Sequence, residues 1–248
     1  MSPWEIFVEQ FVTNGGYLTV LSGLLNTVII AVFGLLIGFL LGALFAVIKS
    51  VPAYKKPVPM ILQKIVDLYV AVFRGTPMVV QLLIIHFILF PSMGVNFGSI
   101  VLSDRFAIQG VVIEAIIAFG LNSAAYVSEI MRGGINSVDK GQLEAGRALG
   151  LSYPTAMIRI VVPQAIKNIV PTLGNEFIAL IKDTSVAGFI SVIDLTRAFQ
   201  NIANSTYEFV VPYLMLAAFY LVIVVLITIA IRLIERRFAK SDRRVAAK

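Results

Sequence analysis

The sequence contains no cysteine and only one histidine, which narrows the chemistry open to the chain. Without cysteine, disulfides, zinc–thiolate sites and cysteine nucleophiles are excluded. The single histidine, His86, excludes a site with several histidine ligands, and we interpret it as a packed or hydrogen-bonded core residue. The phosphate-loop pattern G-x-x-x-x-G-K-[ST] does not occur, so we expect no ATP binding by this chain itself.

Charged residues are also scarce, at 14% of the 248 residues, whereas hydrophobic residues make up 58%. With a mean hydropathy of +0.91, this composition predicts an all-α polytopic membrane protein. Because a bilayer requires about 20 apolar residues per helix, we predict five spans. They cover approximately residues 17–48, 61–90, 109–131, 164–182 and 212–234.

The basic residues are distributed unevenly between the predicted loops. Four Lys fall in 49–64, five Lys or Arg in 132–167, and seven in the tail that starts at Arg232. The N-terminus and the remaining two loops contain only Arg105 and Arg197. The positive-inside rule therefore predicts an N-terminus outside and a C-terminus in the cytoplasm. The net charge of +6 is explained by this topology, and we expect no nucleic-acid partner.

We predict a single transmembrane domain with an accessory segment at each end. Residues 1–16 are amphipathic and predict an interfacial helix, residues 17–238 the membrane core, and residues 239–248 a basic cytoplasmic tail. Glycines recur every fourth residue in the first span, which predicts close packing of a second helix on that face. These glycines are Gly34, Gly38 and Gly42.

The second span is interrupted by the sequence FRGTP, residues 73–77. Gly75 and Pro77 within an apolar stretch predict a broken or kinked helix at this point.

A polar segment, residues 139–163, separates the third and fourth spans and lies on the predicted cytoplasmic side; we call it the inner loop. Asp139 and Gln142 have the spacing of an N-cap and its capping-box partner. Gly150 predicts the end of this helix, and Ser152 caps a second short helix. Pro163 is expected to end that helix or to begin the next one.

The stretch EAGRALGLSYPTAMIRIVVPQA, which begins at Glu144, resembles the EAA loop of ABC importer permeases. In that family this loop contains the coupling helix, which docks in a groove of a cytoplasmic ATPase subunit. Gly146 departs mildly from the usual alanine. The alternative is an ordinary amphipathic surface hairpin. The resemblance implies ATPase coupling by Glu144, Ala145, Gly146, Arg147, Leu149, Gly150, Ser152 and Tyr153.

Two groups of charged residues within or at the edge of the spans are candidates for substrate binding. Lys182 and Asp183 offer a cation and an anion within one turn, as a zwitterionic amino acid requires, or form an internal salt bridge. Glu129 shares a helical face with Asn122 and either receives a substrate cation or pairs with Arg132.

Residues 73–77, 121–142 and 175–186 together resemble the polar amino acid branch of these permeases, the histidine, glutamine, arginine, cystine and opine group. The similarity covers approximately residues 17–238 and implies the type I importer fold with an amino acid site in the third and fourth spans. The candidate substrate-binding residues are Arg74, Thr76, Asn122, Glu129, Lys182, Asp183 and Ser185.

The resemblance also implies partners and a location. We expect two ATPase subunits that bind ATP and magnesium, a second permease, an extracytoplasmic amino acid-binding protein and membrane lipid, in a bacterial or archaeal cytoplasmic membrane. The chain is then not an enzyme by itself, and it needs no metal or cofactor of its own. The loop at 91–108 is longer than usual, which leaves the contact with the binding protein open. The alternatives are an ATP-independent secondary amino acid transporter and a channel.

Overall fold

The computed structural model describes residues 2–50, 57–103 and 106–246. Its helices are α1 (Pro3–Val8), α2 (Gly16–Ser50), α3 (Pro57–Gly75), α4 (Met78–Ile84), α5 (Phe90–Ser92), α6 (Gly110–Asn136), α7 (Lys140–Ala148), α8 (Tyr153–Ala156), α9 (Val162–Asp183), α10 (Leu195–Thr206) and α11 (Val210–Ala246). Among the described residues, three π-helical turns occupy Glu9–Thr13, Ile85–Leu89 and Met157–Val161. A 3-10 helical turn occupies Thr184–Ile190. The strands are β1 (Ile100–Ser103) and β2 (Phe106–Ile108).

In the described part of the chain, three helices are long and apolar enough to cross a bilayer, namely α2, α6 and Val210–Glu235 of α11. A fourth span is possible if Val58–Gly75 and Met78–Ser92 are taken together, with a bend of 111° between them. This bend confirms the break predicted at the sequence FRGTP. The fourth predicted segment forms the helix α9, but this helix is too polar to meet the same criterion.

The glycine face of α2 packs against α6, as the spacing predicts. A Cβ atom at Gly38 would lie 2.6 Å from the Cβ of Ser123, and one at Gly42 would lie 2.8 Å from the Cβ of Val127. Any larger side chain at these positions would therefore push the two helices apart.

The main core lies where α2, α4, α6 and α9 meet. Its buried residues include Ile30, Leu82, Phe119 and Ile181, one from each helix, together with Ile190 from the turn after α9. The core therefore connects the broken helix to the segment that carries Lys182 and Asp183.

The N-terminal segment is helical, as expected, and it packs on the protein. Phe7 is only 3% exposed and shares a buried cluster with Leu195 and Phe199 of α10. The segment is therefore anchored to the core through α10. Its location at a membrane interface stays a prediction.

Asp194 caps α10 at a buried position outside the long apolar helices. Its carboxylate accepts hydrogen bonds from the backbone N–H groups of Thr196 and Arg197, at 3.0 and 3.1 Å. Burial raises the pKa of this carboxyl to about 6, although the two N–H donors act in the opposite direction. The α2 residue Asn26 donates to the carbonyl of Ile193 at 2.9 Å, so the segment that leads into α10 is bonded to α2.

The loop at 91–108 contains a feature that the sequence analysis missed. β1 and β2 form an antiparallel hairpin in which Ile100 pairs with Ile108. The loop predicted at 91–108 therefore contains a short hairpin within a mostly helical fold. The physical reason is the run of β-branched residues, including Ile100 and Val101, which favours extended backbone.

Two predicted features fall partly outside the described residues. The lysines at 55 and 56 lie in the undescribed range 51–56. The helix α11 extends to Ala246, but nothing is described of the side chains in the basic tail, 239–248.

Candidate functional site: the inner loop and two adjoining cavities

The first helix of the inner loop begins at the predicted cap. The carboxylate of Asp139 accepts a hydrogen bond from the backbone N–H of Gly141 at 2.7 Å. Gln142 was expected to bond back to this cap, but its side-chain oxygen instead accepts a hydrogen bond from Gln164 at 3.3 Å. Gln142 therefore joins the start of α7 to the start of α9.

The same helix ends at Gly150, as predicted. Gly150 has a φ of +85°, in the left-handed region that favours glycine. Its N–H donates to the carbonyl of Arg147 at 3.0 Å, and the N–H of Leu151 donates to the carbonyl of Gly146 at 3.1 Å. These two bonds form a Schellman motif, which fixes the direction in which the chain leaves the helix.

Gly146, at the position where alanine is usual, lies in a close contact between helical segments. Gly146 is buried, and a Cβ atom there would lie 2.8 Å from the Cδ1 of Ile160 and 3.3 Å from the Cβ of Ala156. The small residue lets α7 approach the helix that follows it.

The second helix of the inner loop starts as predicted but does not end as predicted. The hydroxyl of Ser152 accepts a hydrogen bond from the N–H of Thr155 at 3.4 Å. The helix then continues through a π-helical turn into α9, so it is not a separate short helix, and Pro163 lies at the start of α9, which is the second of the two alternatives given for it. Pro163 falls in the first turn of α9, where the hydrogen-bond register changes and a missing N–H is tolerated. A continuous helical segment therefore runs from Tyr153 to Asp183.

Most of the residues predicted to couple to an ATPase are exposed on a supported loop, whereas Gly146 is buried. Leu149 is 84% exposed, and Glu144, Ala145 and Arg147 are exposed as well. Tyr153 is half-buried and donates its hydroxyl to the carbonyl of Ser50, at 3.3 Å. This bond ties the loop to the end of α2.

A cavity of about 720 Å³ lies between the inner loop and the ends of α2 and α6. Its lining includes Lys49, Arg132, Asp139, Glu144 and Tyr153. Residues of the inner loop therefore form one wall of this cavity, and the ends of α2 and α6 form the opposite wall.

Glu129 is the centre of an ion-pair cluster that joins α2, α3 and α6. Lys49 lies 2.9 Å from one carboxylate oxygen of Glu129 and 2.8 Å from Asp67. Arg132 pairs with the other oxygen of Glu129, and the guanidinium of Arg74 lies 4.0 Å from it. The pair with Arg132, one of the two alternatives for Glu129, is therefore present. The role of Glu129 in substrate binding stays a prediction.

A second cavity, of about 420 Å³, brings two of the predicted substrate-binding residues together. Arg74 and Glu129 line it, with Tyr126, Asn168 and Thr172. The side chain of Arg74 is 45% exposed, and its guanidinium lies 5.3 Å from the ring centroid of Tyr126. We call this space the Arg74 cavity.

The remaining predicted residues lie elsewhere. Asn122 is buried and donates to the side chain of Gln81, and Thr76 accepts from the same side chain. Lys182 and Asp183 are exposed at the end of α9, and no ion pair within 4.0 Å joins them among the described residues. Ser185 is half-buried in the next turn, and like them it does not line the Arg74 cavity.

Two intramembrane groups that had no assigned partner now have one. His86 contacts the carboxylate of Glu114 through its Nδ1, which confirms a hydrogen-bonded histidine. Glu176 accepts a hydrogen bond from the hydroxyl of Ser123 at 3.1 Å.

Sequence reasoning missed Lys49 and Asp67 as partners of the Glu129 cluster, and it missed Gln81. Lys49 and Asp67 are distant from Glu129 along the chain, so no local sequence spacing predicts that they belong to the same ion-pair cluster. Gln81 had one available signal, because the proline at 77 leaves a carbonyl without its helical donor and a nearby amide is needed to satisfy it.

The apolar helices, the broken second span and the supported inner loop define a permease of the type I ABC importer fold. Residues 34–240 match the family described as binding-protein-dependent transport system inner membrane component, and the chain belongs to this family. This finding confirms the resemblance of the inner loop to that of ABC importer permeases.

Individual relatives cover nearly the whole chain. The arginine transport system permease protein ArtQ of Bacillus subtilis is 37% identical over 90% of this chain and 94% of its own length. The L-cystine transport system permease protein TcyB of the same organism is 37% identical over 98% of this chain and 93% of its own. The crystal structure of an amino acid ABC transporter with histidines superimposes with a TM-score of 0.77 and 35% identity, over 92% of this chain and 97% of that one.

Proposed function

We propose that this chain is the transmembrane subunit of an ATP-driven importer of polar amino acids. Two separate ATPase subunits, which hold ATP and magnesium, would dock on the inner loop. A second permease, identical or paralogous, would complete the path, and an extracytoplasmic binding protein would deliver the amino acid. The location would be the cytoplasmic membrane of a bacterium, with five spans, the N-terminus outside and the C-terminus inside. The uneven distribution of Lys and Arg supports this orientation.

Coupling of the permease to an ATPase is supported by the hydrogen-bonded caps that fix the inner loop. Its caps at Asp139, Gly150 and Ser152 fix the backbone, while Leu149 and Glu144 remain exposed for a partner. The continuous helical segment from Tyr153 to Asp183 is about 45 Å long, at about 1.5 Å per residue. A displacement of the loop by an ATPase would therefore move the segment that carries Lys182 and Asp183, as alternating access requires.

Substrate recognition is supported most directly by the Arg74 cavity. Three cations, Lys49, Arg74 and Arg132, surround two anions, Asp67 and Glu129, which leaves the cluster with one net positive charge. Arg74 is the most weakly paired of the three, at 4.0 Å from Glu129, and it is among the residues that line the cavity. A planar guanidinium in this position suits the carboxylate that all amino acids share.

Replacing Arg74 by alanine is therefore expected to weaken amino acid binding. Loss of a charge-assisted hydrogen bond costs about 1.5–3 kcal/mol, which corresponds to roughly a 10- to 100-fold rise in Kd. The measurement is equilibrium binding of radiolabelled L-glutamine, L-arginine, L-cystine and L-histidine to the purified permease–ATPase complex without binding protein.

The matched control is Arg232→Ala, which removes an exposed arginine far along the chain that lines neither cavity. It is expected to leave Kd unchanged within twofold. Wild-type affinity in Arg74→Ala would contradict the assignment of this cavity to the substrate.

A further inference from the structure

The break between α3 and α4 leaves backbone carbonyls at the end of α3 without helical partners, and the carbonyl of Phe73 is one of them. Pro77 has no N–H, so it cannot donate to the carbonyl of Phe73 four residues earlier. The chain turns by 111° across Thr76 and Pro77, so no regular helical donor replaces it. A carbonyl freed in this way is satisfied by a side-chain donor or by water.

Gln81 supplies that donor. Its side-chain nitrogen lies 2.8 Å from the carbonyl oxygen of Phe73, 3.0 Å from that of Thr76 and 2.8 Å from the hydroxyl oxygen of Thr76. The residue is only 7% exposed. A single carboxamide therefore connects both sides of the break and fixes the turn between the two helices.

The other end of the Gln81 carboxamide attaches the break to α6. Its oxygen accepts a hydrogen bond from the side-chain nitrogen of Asn122 at 2.8 Å, and the same nitrogen lies 3.3 Å from the carbonyl of Phe73. Asn122, Tyr126 and Glu129 follow one another at four and three residues along α6, so they lie on one helical face. The amide pair thus anchors the break to the face that carries both neighbours of Arg74.

Arg74 directly follows Phe73, the residue whose carbonyl is held. Its guanidinium lies over the ring of Tyr126, 5.3 Å from the centroid, and 4.0 Å from Glu129. The long arginine side chain is flexible, so its direction depends on where its Cα is fixed relative to α6. Farther back along α3, the Tyr69 hydroxyl donates to the carbonyl of Leu121 at 2.6 Å, and at the break itself the hydrogen bonds of Gln81 and Asn122 hold the residue next to Arg74.

We infer that Gln81 is a positioning residue that holds Arg74 over the Arg74 cavity, with Asn122 as its partner on α6. The inference rests on the proposed function, in which Arg74 receives the carboxylate of the amino acid. It also gives Asn122, a candidate substrate-binding residue, an indirect role through the broken helix.

Gln81→Met, which keeps the length of the side chain and removes its donors and acceptor, is expected to raise Kd for the bound amino acid about 10-fold. Gln81→Asn, which is one methylene shorter, is expected to raise it in the same way. The assay is the binding measurement described for Arg74, with the same radiolabelled amino acids and the intact complex.

A double-mutant cycle separates positioning from a general loss of structure. Because Gln81 acts through Arg74, adding Gln81→Met to Arg74→Ala is expected to change Kd by less than twofold. A further 10-fold rise in the double variant would contradict the inference, as would wild-type Kd in both single variants. Failure of both Gln81 variants to assemble into a complex would also contradict it, by making Gln81 a folding residue.

The same data distinguish this inference from the proposed function. If Arg74→Ala binds normally, the assignment of the cavity to the substrate fails whatever the Gln81 variants do. If Arg74→Ala weakens binding and the Gln81 variants do not, only the positioning role fails.

Discussion

Gly38→Leu is expected to disrupt the membrane core. A Cβ at this position would lie 2.6 Å from both the Cβ and the hydroxyl oxygen of Ser123, and 3.1 Å from its backbone carbonyl carbon. Because the backbone of α6 is part of the contact, a rotamer change cannot relieve it and the helices must separate. Overpacking costs about 1–3 kcal/mol for single methylenes and more for a larger side chain. We expect a fall in Tm of about 10 °C or a complete loss of folded protein.

Gly133→Leu is the matched control for this effect. Gly133 lies on α6, and a Cβ there would meet nothing within 4 Å. Leucine also favours the helix over glycine by about 0.8 kcal/mol. Thermal stability and monodisperse yield in detergent provide the measurement. Equal stability of the two variants would show that the glycine face of α2 does not determine the packing.

The double substitution Glu144→Arg and Gly150→Val is expected to abolish transport while leaving the protein in the membrane. The first change reverses a charge on the exposed surface of the inner loop. The second places a β-branched residue at a φ of +85°, which costs about 1–3 kcal/mol and alters the Schellman exit from α7. We expect at least a 100-fold loss of amino acid uptake, measured with radiolabelled substrate in cells at equal membrane content.

Gly94→Val is the matched control for the backbone change. Gly94 also has a positive φ, of +65°, with nothing within 4 Å of a Cβ, but it lies outside the inner loop. It introduces similar strain and should retain most of the uptake. Normal uptake by the inner-loop variant would end the proposal that this loop couples the permease to an ATPase.

Local sequence signals predicted much of the structure. The cap at Asp139, the left-handed Gly150 and the glycine face of α2 follow from rules that act within one or two helical turns. The break near Pro77 was also predictable from local sequence, because proline has no N–H to donate to the carbonyl four residues before it.

The features that the sequence did not predict depend on contacts between residues that are distant along the chain, or on turns without a sequence pattern. The π-helical turn at Met157–Val161 has no residue signature, so the sequence did not predict that the second helix of the inner loop continues into α9. The contact of Lys49 with Glu129 spans 80 residues of sequence, and its existence depends on how α2 and α6 pack. Gln81 is an unremarkable residue in an apolar helix until the three-dimensional position of the Phe73 carbonyl is known.

The proposal that this chain is an ATP-driven amino acid permease is tested most directly by co-purification with the ATPase encoded beside it. The ATPase rate of the complex would then be measured against a panel of polar amino acids together with the binding protein. We predict a stable complex whose ATPase rate is stimulated by one or two of these amino acids. A complex that never forms, with uptake that persists after ATP depletion under an ion gradient, would contradict the proposal and favour a secondary transporter.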